Sequence, residues 1–161
     1  MKIKEKKMTK IYCVIDQADI IPYYHKITGQ KMRVLISYFY IKGQIYKMIC
    51  KYKNDMIEEI ILDCGAYSAR NGNIALSISE YTKYLLMYGH HFDHCFNMDD
   101  DFLNPDHNFT NQVFLENALP EGFRRPIPVI HDSENPFEEI EIYVDQGHDY
   151  IAVGSNKKLD Y

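Results

Sequence analysis

The 161-residue chain has no tryptophan, no C-x-x-C pair among its four cysteines and no apolar run long enough to span a bilayer. The last of these excludes a helical membrane anchor. The opening Met1-Lys2-Ile3-Lys4-Glu5-Lys6-Lys7 is charged, with no apolar stretch of signal-peptide character behind it. Cys13, Cys50, Cys64 and Cys95 are far apart and read as reduced thiols of a cytoplasmic protein. A glycine-rich phosphate loop and a Ser-His-Asp arrangement are also missing, which removes two familiar catalytic signatures from consideration.

What is present points to a globular domain. Hydrophobic residues make up 46%, and fourteen tyrosines with eight phenylalanines predict one domain, residues 1–161, around an aromatic-rich core. The net charge of −5 hides an asymmetry. Residues 1–53 hold 12 Lys/Arg against 3 Asp/Glu, while residues 54–161 hold 6 against 20. The basic leading third, above all segment 1–10, is a candidate contact for a phosphate backbone, with a solvated lysine surface as the plain alternative.

The chain is organised around Ile60-Ile61-Leu62-Asp63-Cys64-Gly65-Ala66. An apolar run without polar alternation reads as a strand buried on both faces, as in a parallel sheet. It ends in a carboxylate and a turn of small residues, where Gly65 and Ala66 leave room for a ligand. The pattern recurs. Strands are expected at Ile11–Ile15, at Arg33–Tyr38 extended by Phe39-Tyr40, at His94–Met98, at Ile127–Ile130 and at Tyr150–Val153. Between them, helices are expected around Ile20–Lys26, Tyr81–Tyr88 with Ser79 as N-cap, Thr110–Leu119 and Pro136–Gln146. Residues 44–59 fit a helix or a hairpin equally well.

Strand followed by helix, repeated, predicts an α/β fold of parallel βαβ units in the manner of a (β/α) barrel. About six of a barrel's eight units are present, since such barrels typically need about 250 residues. In that register Asp16, Asp63, Asp99, His131 and Gly154 all fall at C-terminal strand ends, the rim where α/β folds keep their chemistry. Two aspartates on one rim shift each other's proton affinity, which suits one as a base and the other as an acceptor. A metal reading of His90-His91-x-x-His94-Cys95 is set aside, because neighbours on a strand point to opposite faces and histidines suit a helix C-terminus.

These residues carry a resemblance. Asp63-Cys64-Gly65-Ala66-Tyr67-Ser68 resembles the D-S-G-G/A-F motif of tRNA-guanine transglycosylases and their phage and DNA-modifying relatives. Leu35–Gly43 is similar to the segment before that motif, Asn97-Met98-Asp99 to N-L-D, Pro126–His131 to P-I/V-P-V-F/I-H, and Tyr150–Gly154 to Y-I-A-L-G-G. The family is a (β/α) barrel, including queuine tRNA-ribosyltransferase, that exchanges guanine in tRNA or DNA for a 7-deazaguanine through a covalent aspartyl intermediate. The resemblance implies that Asp63 transfers the proton, that Asp99 and His131 contact the base, that Gly154 offers backbone groups, and that Asp16 and Ser155 are further site candidates.

The chain departs from the family at Cys64, which replaces a serine, and at Ser155, which replaces a second glycine. The family's nucleophilic aspartate and cysteine-rich zinc site lie beyond the matched segments, so no metal or cofactor is expected within residues 1–161. The expected partners are guanine or a 7-deazaguanine, tRNA or DNA, and a second copy or another chain that completes the barrel. Two other readings remain: a non-catalytic base- or nucleic-acid-binding accessory subunit, and an unrelated metal-dependent hydrolase.

Overall fold

The computed structural model describes residues 9–41, 45–131 and 136–154. Its centre is the strand β3, Ile57–Asp63, in which Ile60, Ile61 and Leu62 are all buried. β3 pairs in parallel with β2, Met32–Ser37, on one side and with β4, His94–Cys95, on the other; β1, Cys13–Val14, pairs with β2. A second parallel pair joins β5, Val129–Ile130, to β6, Ala152–Val153. One parallel bridge, Phe96 to Ile127, links the two, with Asn97 N–H donating to the Ile127 carbonyl at 2.9 Å. The six strands therefore follow one another in chain order, all parallel, and no barrel is closed among the described residues.

Helices connect the strands: α1 (Ile20–Thr28), α2 (Tyr38–Ile41), α3 (Ile45–Tyr52), α4 (Ala66–Asn71), α5 (Ile78–Tyr88), α6 (Pro105–Ala118) and α7 (Pro136–Asp145). The core lies between this layer and one face of the sheet. Val34, Ile36, Ile60 and Leu62 of the strands pack in one cluster with Ile21, Ile49, Tyr81, Leu85 and Leu115 of the helices. The opposite face carries Val14, Leu35, Ile61 and His94, aligned by register. It is covered unevenly: Ile61 is 9% exposed and Val14 76%. Among the described residues no helix is long and apolar enough to cross a membrane.

Several expectations move. The aromatic run Tyr38-Phe39-Tyr40 does not extend β2; it turns into α2. Burial of the Tyr38 ring against Tyr81 and Tyr84, at 5.1 and 5.0 Å between centroids, overrides its strand propensity. The undecided 44–59 segment divides into α3 and the first residues of β3. Ser77, not Ser79, caps α5, its hydroxyl accepting the Glu80 N–H at 3.3 Å. α6 begins at Pro105 rather than near Thr110, because Asn104 caps it and proline suits its first turn. Of the basic segment, Lys10 is described, and it pairs with Glu59 instead of standing free.

Candidate functional site

Ser37 is the register partner of Asp63, so β2 and β3 end level. Beyond β3 the chain turns at Gly65, whose φ is +82°. A Cβ there would lie 2.4 Å from Ser37 Oγ and 2.5 Å from Phe39 Cβ. Gly65 is therefore needed for packing against the β2–α2 corner, and both Gly65 and Ala66 are buried. The space they leave is filled by the chain itself rather than open to a ligand. Gly65 does contribute directly: its N–H donates to Asp63 Oδ2 at 2.9 Å and fixes that carboxylate.

Asp99 arrives from the loop after β4. Its Oδ1 accepts the Cys64 thiol at 3.0 Å and its Oδ2 contacts His131 Nε2 at 2.8 Å. All three side chains are buried. Asp63, Asp99 and His131, predicted from separate strand ends, thus meet at one place, and Cys64 joins them. Burial, then the Asp99 charge, push the Asp63 carboxyl up to about 6, opposed by the Gly65 N–H. Burial and both carboxylates push the Cys64 thiol well up, so it keeps its proton and serves as a donor.

The other predicted residues are placed differently. Gly154 packs against His131: a Cβ would come within 2.7 Å of Cε1 and 2.9 Å of Nδ1. Its N–H donates to the Ile130 carbonyl at 2.8 Å, so only its carbonyl is left for a ligand. Asp16 is exposed just past β1 and does not join the Asp63–Asp99–His131 cluster. Ser155 lies outside the described residues.

Features that the sequence reading passed over hold Asp99 in place. Asn108 Nδ2 donates to the Asp101 carbonyl at 2.8 Å, and Asn111 Nδ2 donates to the Met98 carbonyl at 2.9 Å. With the cap Asn104, these amides stand at i, i+4 and i+7 on α6, a helical spacing visible in the sequence. The Phe102 ring lies 4.5 Å from that of His131, and the Arg70 guanidinium 5.1 Å from the Phe102 centroid. On the far side of the imidazole, Nδ1 is buried without a hydrogen-bond partner among the described residues.

Chemically, the cluster offers a carboxyl that titrates near neutrality, a second carboxylate held by two donors, and an imidazole nitrogen with unused capacity. Each Asp99 oxygen keeps a lone pair for a ligand donor. Asp63, Cys64 and Asp99 also present donor atoms all within 4.8 Å of one another, a set that could hold a divalent cation. Comparison with known protein families, curated proteins and solved structures finds no match.

Proposed function

We propose that the chain recognises guanine or a 7-deazaguanine at Asp63, Asp99 and His131, in the manner of a base-exchanging transglycosylase acting on tRNA or DNA. The observation that carries the reading is the convergence of these three side chains just beyond parallel strands, with the Asp63 carboxyl raised to about 6. Guanine's N1–H and amino group are both donors, and a fixed carboxylate accepts a pair of donors well. Asp99 takes the recognition role, since Cys64 and His131 hold both its oxygens in place. A group titrating near 6 suits proton transfer at neutral pH, so Asp63 takes the acid–base role.

The six successive parallel strands are consistent with an arc of a (β/α) barrel, and we read them as six of its eight units. The uncovered face around Val14, 76% exposed, is then the barrel interior, closed by self-association or by a second chain. A chain that recognises the base without exchanging it, as an accessory subunit, is the nearest variant of this reading. Exchange of labelled guanine into tRNA and into DNA separates the two. Turnover makes the chain an enzyme and turns attention to its nucleophile, with Asp16 the first carboxylate to replace. Base binding without turnover makes it the recognition unit, and neither result sinks the reading.

The Asp63–Cys64–Asp99 donor set supports one competitor, a metal-dependent hydrolase. Elemental analysis of the purified protein decides it: a stoichiometric divalent metal lost on Cys64→Ser favours the hydrolase.

A further inference from the structure

We propose a second binding site, for the phosphate group of a small phosphomonoester, at the N-terminal end of the sheet, with Lys53 and Arg124 as its cationic ligands. Two neighbouring cavities, of about 370 and 380 Å³, share His94 and Arg124 in their walls. Each is of a size that holds a small molecule. His94 opens β4 and Asp99 lies beyond that strand's other end, so this site and the Asp63–Asp99 cluster are at opposite ends of the sheet. None of Asp63, Asp99 or His131 lines either cavity.

The charge arrangement selects an anion. Arg124 Nη1 donates to the Asp93 carbonyl at 2.6 Å, and Lys53 Nζ donates to the His91 carbonyl. Those contacts fix both cations in position without cancelling their charge, and among the described residues neither makes an ion pair. Arg125, in the second cavity, is different, because Glu116 takes its charge at 2.8 Å. The nearest acid, Asp93, turns Oδ2 onto the Ile60 N–H at 2.8 Å. A guanidinium and an ammonium held by neutral carbonyls, with an imidazole between the two cavities, suit a phosphate oxygen cluster.

The remaining walls suit an organic body attached to that phosphate. Phe123 lies where a Gly89 Cβ would stand, 2.4 Å from its ring atoms, so the absence of a side chain at Gly89 lets that ring form the wall. In the second cavity Tyr150 faces His94, their ring centroids 5.6 Å apart. A nucleoside monophosphate represents the class, and a pyrimidine one keeps the test clear of any guanine pocket.

Calorimetric titration with uridine monophosphate, inorganic phosphate and uridine tests the site, with imidazole NMR as a second readout. Uridine monophosphate is expected to bind more tightly than inorganic phosphate, uridine not to bind, and the His94 ring resonances to move while those of His131 do not. Lys53→Gln and Arg124→Ala should each weaken binding about tenfold or more, whereas Asp99→Ala should leave it unchanged. Lys53→Gln leaves the Arg124–Asp93 contact intact and keeps the test valid if Arg124→Ala fails to fold. No binding of either phosphate at millimolar concentration, equal binding of uridine, or loss on Asp99→Ala alone would overturn the proposal.

Discussion

With its carboxyl raised from an ordinary 3.8 to about 6, Asp63 binds its proton more tightly in the folded chain than in the unfolded one. The stability this contributes is complete below about pH 4 and is lost as pH rises through about 6, so at neutral pH the ionised group destabilises the fold by about 2–3 kcal/mol. Asp63→Asn retains an oxygen to accept the Gly65 N–H and removes the charge. It should raise the denaturation midpoint at pH 7.5, with the advantage shrinking towards pH 4; a variant less stable than the parent at pH 7.5 contradicts the assignment. Asp99→Ala acts on the other side of the pocket. It should weaken guanine binding by roughly 1.5–3 kcal/mol, measured by calorimetry, and more than Asp63→Asn does. The same change strips the acceptor from Cys64 and His131, so its melting temperature should fall as well.

The turns and caps between elements carry their own tests. Gly65→Ala forces a side chain into a positive-φ site against Ser37 and Phe39, and should cost about 1–3 kcal/mol in chemical denaturation. Ser77→Ala should cost about 1 kcal/mol as a lost N-cap and Ser79→Ala much less; the reverse order contradicts the cap. The placement of Asp63, Asp99 and His131 was legible because each follows an apolar strand, and a parallel sheet puts such ends on one rim. Their partners were not legible, because Cys64 and Asp99 are 35 residues apart and Asp99 and His131 are 32. Contacts across such separations depend on sheet register and loop path, which periodicity does not encode. The helix at Tyr38 was hidden for a related reason: its aromatic run favours a strand locally, and only packing against Tyr81 and Tyr84 decides otherwise. Strand lengths were overread, for β1, β4, β5 and β6 each span two residues.

Taken as a molecule, the chain presents a sheet with helices on one face and Val14 and Val153, 76% and 78% exposed, on the strands at its two ends. Exposed apolar residues on strands invite pairing. Sedimentation equilibrium should therefore show self-association in the micromolar range; a strict monomer with no copurifying chain counts against barrel completion while leaving the pocket untouched. The most direct test of the central claim is equilibrium binding of guanine and a 7-deazaguanine to the isolated protein, with adenine as control. The account predicts saturable binding of both guanine-type bases, none of adenine, and loss on Asp99→Ala with the fold retained by circular dichroism. Absence of guanine binding, or binding indifferent to the side chain at Asp99, would contradict it.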